Sequence, residues 1–291
     1  MCGIVGLFLK RPGLEPELGA HLAAMLATMR DRGPDSAGFA VYGGSDALVK
    51  LTLRGPAGTD FAALAAGFGL PVDIRDTHAV LHLPEDRVAG IRAALAERPD
   101  IAIVGEGHRM ELYKEVGLPA DVAARFGLPG MSGTHGIGHT RMATESAVTT
   151  DGAHPYTTGQ DQCLVHNGSL SNHNGLRRML VREGFRFETE NDTEVAAAYL
   201  SWRMQKGDTL EGALHAGLKD LDGFYTFVVG TRTGFAVLRD PVCCKPAVMA
   251  ETADWVAFGS EYRALVDLPG IDHARVWEPE PARVYAWERA A

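Results

Sequence analysis

The chain opens Met1-Cys2-Gly3-Ile4-Val5-Gly6-Leu7-Phe8-Leu9, and this run constrains the fold more than any other stretch. Apolar residues rich in Ile, Val and Phe predict a strand that is buried from its first position. Chain termini ordinarily fray at the surface, so the fold must build its core around its own beginning. The run has no leading positive charge and no small-residue cleavage site, which makes it a poor signal peptide.

The 291 residues allow one large domain or two modest ones. With 46% hydrophobic and 22% charged residues the composition is that of a globular chain with a sizeable core. A net charge of −9 without a basic run argues against a nucleic-acid or anionic-membrane surface. No apolar stretch approaches the roughly 18 residues that a bilayer span needs. The four cysteines, Cys2, Cys163, Cys243 and Cys244, form no C-x-x-C pair. Their pattern predicts a reducing, cytoplasmic setting and no zinc or other metal site.

Periodicity predicts a helix over Pro16–Arg30, a polar turn at Asp31–Ser36 and a strand at Ala37–Tyr42. Residues 55–130 differ in character: strands at His78–Leu83 and Ile101–Val104, a helix at Glu85–Glu97, and helical pieces at Met110–Val116 and Asp121–Phe126. This region reads as an inserted α/β lobe. Strands return at Gly136–Arg141 and at Gln162–His166, which ends at Asn167-Gly168. Helices follow at Ser171–Glu183, Thr193–Gln205 and Thr209–Leu218. A strand meander closes the chain at Phe224–Gly230, Gly234–Leu238, Lys245–Ala250, Trp255–Ser260 and Ala282–Trp287. Strands, then helices, then strands predict α+β layers rather than a Rossmann alternation.

Cys2 is the most informative residue. Most single cysteines are small buried hydrophobes. Removal of Met1 would make Cys2 the first residue, with thiol and free α-amine on one residue. An α-amine has a pKa of roughly 7.7–8.0, so it can act as general base for the adjacent thiol. A thiol attacking an amide needs donors for the developing oxyanion. Asn167-Gly168 suits that role, although Asn-Gly is also an ordinary hairpin turn. Arg141 is either a solvated edge charge or a bidentate clamp for a carboxylate, with Thr144 adding a hydroxyl. Asp192 reads as the N-cap of the following helix or as a partner for a substrate ammonium. His139, His154 and His166 lack metal-ligand spacing and read as site-wall histidines.

In combination these pieces resemble the class II glutamine amidotransferases. The ordered motifs are Met1-Cys2-Gly3-Ile4-Val5-Gly6, Arg32-Gly33-Pro34-Asp35-Ser36, Gly138-His139-Thr140-Arg141, His154-Pro155, His166-Asn167-Gly168 and Asp192-Thr193-Glu194. Arg239-Asp240-Pro241, Lys245-Pro246 and Ser260-Glu261 extend the likeness. It covers nearly the whole chain except residues 55–130. It implies a four-layer α/β/β/α N-terminal nucleophile hydrolase sandwich of two antiparallel sheets, with the lobe inserted. It also implies roles: Cys2 attacks the glutamine side-chain amide, and Asn167 with the Gly168 N–H forms the oxyanion hole. Arg141 and Thr144 hold the α-carboxylate end, Asp192 holds the α-amino group, and Arg32 supports the nucleophile.

Two departures stand out. Glu145 follows Thr144 where the sugar-phosphate members carry His-Gly, and Cys243-Cys244-Lys245 replaces a Gly-Ile-Arg run. The 55–130 lobe is similar to that of stand-alone glutamate-synthase-like subunits, including the small subunit of N-methylglutamate synthase, an enzyme of methylamine metabolism. That likeness implies no cofactor in this chain and a partner synthase, FMN-dependent, that receives the ammonia. Only 30 residues follow Glu261 (291 − 261), too few for an acceptor domain of about 50 residues or more. Two alternatives stand beside this reading: a catalytically silent scaffold or regulatory subunit, and another N-terminal-cysteine amide hydrolase.

Overall fold

The computed structural model describes residues 2–143 and 147–289. The chain begins with β1 (Gly3–Leu9), α1 (Leu18–Thr28) and β2 (Ser36–Tyr42). Next come β3 (Val49–Arg54), α2 (Phe61–Phe68), β4 (Val72–Arg75), β5 (His78–Leu83), α3 (Val88–Ala96) and β6 (Ala102–Gly107). β7 (Met110–Val116), α4 (Pro119–Arg125), β8 (His135–Arg141), β9 (Tyr156–Gly159) and β10 (Gln162–Leu170) lead into three helices. These are α5 (His173–Arg182), α6 (Asp192–Gln205) and α7 (Leu210–Asp220). The closing strands are β11 (Gly223–Gly230), β12 (Gly234–Arg239), β13 (Val248–Glu251), β14 (Trp255–Gly259), β15 (Arg275–Trp277) and β16 (Val284–Glu288).

Two antiparallel sheets form the body, in the orders β15-β13-β14-β1-β8-β2-β7 and β16-β12-β11-β10-β9. β1 is central: it pairs with β14 on one side and β8 on the other. All seven of its residues are buried, as its near-continuous apolar run requires. Alternation then divides its side chains between layers. Ile4 and Phe8 enter the core between the two sheets, with Tyr42, Val165, Val228 and Phe235. Val5, Leu7 and Leu9 face a second core under α1, with Leu22, Leu26 and Phe39. A third core fills the space between the second sheet and α6 and α7. Three cores between four layers give the expected α/β/β/α sandwich.

The lobe has its own four-stranded sheet, in the order β4-β5-β3-β6 with every pair antiparallel. The chain order β3-α2-β4-β5-α3-β6 makes it a ferredoxin-like βαββαβ unit. Leu51, Leu53, Leu81, Phe61, Ile91 and Leu95 supply its core. The lobe sheet spans Val49 to Gly107 rather than the expected 55–130. Val49–Arg54 alternates cleanly and belongs to it, whereas α4 packs on the main body beside α1.

Met110–Val116 is a strand, not the expected helical piece. Glu111, Lys114 and Glu115 imitate helical charge spacing, but the segment pairs with all seven residues of β2. Its charges find tertiary partners instead, including Lys50 for Glu111 at 2.7 Å.

Candidate active site

Among the described residues, those singled out by sequence lie at neighbouring strand and helix ends. Cys2 immediately precedes β1 and is half-buried. Its carbonyl oxygen accepts two hydrogen bonds, from Arg32 Nε at 2.9 Å and from Asn167 Nδ2 at 3.2 Å. Arg32 is buried just after α1, and its Nη1 pairs with Glu261 at 2.7 Å. Two residues further along, the Ile4 N–H donates to Ser260 Oγ at 2.9 Å. Gly3 lies against Met29 and Thr140 so closely that a Cβ there would overlap both. The backbone that carries the thiol is therefore held from three directions.

Asn167 and Gly168 lie inside β10, which runs on to Leu170 rather than ending at them. The Asn-Gly pair is not a hairpin turn: β11 pairs with β10 across both positions. Asn167 turns its side chain to Cys2, and its bond to the Cys2 carbonyl uses one of its two amide hydrogens. Gly168 has φ +152, and a Cβ would collide with the carbonyl of Phe224, so only glycine fits.

Asp192 is the first residue of α6, and the cap is its neighbour: Asn191 accepts the Thr193 N–H at 2.8 Å. This corrects the N-cap reading of Asp192. Released from capping, its Oδ2 accepts the Leu170 N–H at 2.9 Å. Glu194 accepts the backbone N–H groups of Glu188 and Thr189, fixing the approach to the helix.

Arg141 ends β8 and is buried. Its carbonyl accepts the Asp35 N–H at 3.1 Å, and Asp35 in turn accepts the Ala143 N–H at 2.8 Å. Its Nη1 donates to the Ala147 carbonyl at 3.4 Å. Thr144 and Glu145 lie outside the described residues, as does Met1.

Next to these residues sits a buried histidine cluster. His139 and His154 stack with ring centroids 3.9 Å apart. Thr193 Oγ1 lies between His154 Nε2, at 2.8 Å, and His166 Nδ1, at 2.9 Å. His139 Nε2 donates to the His166 carbonyl at 3.0 Å. Burial depresses all three: His139 falls to about 3, His154 well below its ordinary value, and His166 in the same direction. They are neutral near pH 7. Thr193 has a single proton to give, and Asp192 Oδ1 lies 3.4 Å from the same hydroxyl as a third partner. Sequence placed the histidines at the site wall, but the threonine that links two of them carries no pattern of its own.

A half-buried thiol at position 2, a neutral amide donor, two buried arginines and one carboxylate can hold and cleave an amide on a zwitterionic substrate. The glutamine amidotransferase domain family matches residues 139–267. The glutamine amidotransferase-like protein GlxB of Rhizobium meliloti is 62% identical over 99% of this chain and 98% of its own length. The chain belongs to the class II glutamine amidotransferases. A glutamine–fructose-6-phosphate aminotransferase from Xylella fastidiosa is 38% identical over 44% of this chain, which is 21% of its own length. Among solved structures, glutamine phosphoribosylpyrophosphate amidotransferase from B. subtilis aligns with 99% of this chain at 20% identity and a TM-score of 0.65. The alignment takes in 47% of that longer chain, so this amidotransferase chain spans about half of it and shares its N-terminal nucleophile fold.

Proposed function

We propose that Cys2 is the nucleophile of a glutaminase reaction and that its own α-amine, freed by loss of Met1, is the general base. The thiol sulfur attacks the side-chain carbonyl carbon of glutamine as its proton passes to the α-amine. The oxyanion is met by Asn167 Nδ2 and the Gly168 N–H. Collapse breaks the C–N bond, and the α-ammonium returns the proton to the leaving nitrogen. Ammonia and a γ-glutamyl thioester result. Water then adds to the thioester, giving glutamate and the free thiol. Arg141 pairs with the α-carboxylate, Thr144 assists it, Asp192 pairs with the α-ammonium, and Arg32 holds the Cys2 backbone.

The observation that carries this reading is the Asn167 Nδ2 hydrogen bond to the Cys2 carbonyl at 3.2 Å. It joins residues from the two different sheets, and it has no role in pairing either sheet. The test is intact mass followed by a glutaminase assay, with labelling by a glutamine-like electrophile. Processed wild type is expected to turn over and to take the label on Cys2, and Cys2→Ala to do neither. A label on Cys163, Cys243 or Cys244 instead would remove Cys2 from the role.

The ammonia is delivered to a separate synthase subunit. A glutamate-synthase-like partner, FMN-dependent and making glutamate or N-methylglutamate, fits the likeness of the lobe, and the flavin then belongs to that partner. Four free thiols suit a cytoplasmic site, and among the described residues no helix is long and apolar enough to cross a membrane. Co-purification from cell extract tests the partner: a flavoprotein should accompany this chain, and full turnover by a lone monomer would refute the pairing.

A further inference from the structure

The βαββαβ lobe touches the body where the chain returns from Arg141. Residues 147–153 form a turn closed by the Ala153 N–H on the Thr150 carbonyl at 3.1 Å. Ala147 offers its carbonyl to Arg141 Nη1 at 3.4 Å. Gly152 lies so close to the same guanidinium that a Cβ would stand 3.0 Å from Nη1. The turn is thus one wall of the Arg141 side chain.

That wall is held from the lobe side. Arg54, the last residue of β3, forms an ion pair with Asp151. Lys114 on β7 donates to the Asp151 carbonyl at 3.1 Å and to the Ala153 carbonyl at 3.0 Å. Its ammonium also lies 4.6 Å from the centre of the Tyr156 ring, whose hydroxyl donates to the Asp151 carbonyl at 3.2 Å. Glu115 accepts the Thr150 hydroxyl and, at 3.4 Å, the hydroxyl of Thr77 in the β4–β5 turn. Among the described residues, the polar holds on Asp151 come from the lobe, from the β7 strand that follows it, and from Tyr156.

We infer that Arg54 and Lys114 are positioning residues for glutamine: through Asp151 they hold the 147–153 turn against Arg141 and so tune affinity for the substrate's α-carboxylate. This rests on the assignment of Arg141 to that carboxylate. Lys114 is buried, and burial lowers its pKa to about 8, which marks a cation retained inside the protein at some cost. Two carbonyls, an aromatic face and the negative charge of nearby Asp151 keep it there.

The experiment reads binding to the full-length Cys2→Ala protein by calorimetry, so turnover is not required. The ligands are L-glutamine and L-glutamine α-amide, which lacks the carboxylate charge. Arg54→Ala and Asp151→Ala should each weaken L-glutamine by about three- to fivefold, the scale of one exposed ion pair. The double variant should be no weaker than either single one, Arg54→Lys should recover part of the loss, and the α-amide should be unmoved. Arg54 and Asp151 are both partly exposed, so these variants should fold, which circular dichroism checks. Unchanged L-glutamine affinity, additive losses, or equal losses for both ligands would each overturn the inference. Arg141→Ala separates the two claims: if it leaves L-glutamine binding intact, the carboxylate assignment fails, and if it weakens binding while Arg54→Ala does not, only the positioning role fails.

Discussion

Asp192 accepts the backbone N–H of Leu170 at 2.9 Å, and this bond ties the start of α6 to the end of the strand carrying Asn167 and Gly168. The carboxylate proposed for the substrate ammonium thus also fixes the strand of the proposed oxyanion hole. Its side chain is partly exposed, with 21% of its surface open, so it still reaches solvent and ligand.

Charge and geometry at this position can be separated. Asp192→Asn keeps an amide oxygen for the Leu170 N–H but loses the charge. The KM for glutamine should rise about tenfold or more, as expected for a lost charged hydrogen bond of roughly 1.5–3 kcal/mol, with kcat little changed. Asp192→Ala loses both functions and should lower kcat as well. Steady-state glutaminase kinetics read the split; equal effects from the two variants would contradict it.

Asn167→Ala removes the proposed oxyanion donor and one of two bonds to the Cys2 carbonyl. We expect kcat to fall about 10²- to 10³-fold with KM nearly constant, the usual signature of a lost oxyanion contact. A change in KM alone would place Asn167 in ground-state binding. Single-turnover measurement of thioester formation checks this directly.

Thr193→Val replaces the hydroxyl by a methyl of similar size. It strands His154 Nε2 and His166 Nδ1, both buried. A buried polar group left unpaired costs about 1–3 kcal/mol, so chemical denaturation should show a loss of that order, with Thr193→Ser retaining most of the stability. A neutral Thr193→Val would mean that other groups satisfy the rings.

Stability should fall in mild acid. Burial lowers His78, His135 and His139 to about 3, and lowers His154 and His166 as well. In the unfolded chain these side chains titrate near pH 6.5. Between the two values the unfolded state binds protons that the native state refuses, so the contribution is present above about 6.5 and is lost as pH falls toward 3. The slope is about 1.4 kcal/mol per pH unit for each histidine well inside the window. Urea midpoints between pH 6.5 and 5 should drop steeply; a flat profile would count against neutral native histidines.

Much of the layer plan was legible. The run Gly3–Leu9 announced a central strand because both of its faces are buried, and the amphipathic spacing of Leu18, Leu22 and Leu26 announced the helix above it. Met110–Val116 was misread because its charges sit at helical spacing, while the apolar Met110 and Leu112 that face the inter-sheet core have the period of a strand. Asp192 was misread because Asn191 and Asp192 are both good caps, and only the Leu170 N–H decides which of them is free.

Sequence alone determined which chemical groups are present and most of the local strands and helices, because propensity and periodicity act over a few neighbouring residues. It determined the candidates Cys2, Arg32, Arg141, Asn167, Gly168 and Asp192 through their ordered motifs. Tertiary structure decided how they meet. The Asn167–Cys2 bond spans 165 positions and the Arg32–Glu261 pair 229. Tertiary structure likewise decided that the lobe's Arg54 reaches Asp151 across 97 positions. Contacts at such separations form only after the sheets have stacked, when burial and hydrogen bonding outweigh the loop entropy of bringing the segments together. No local pattern encodes them.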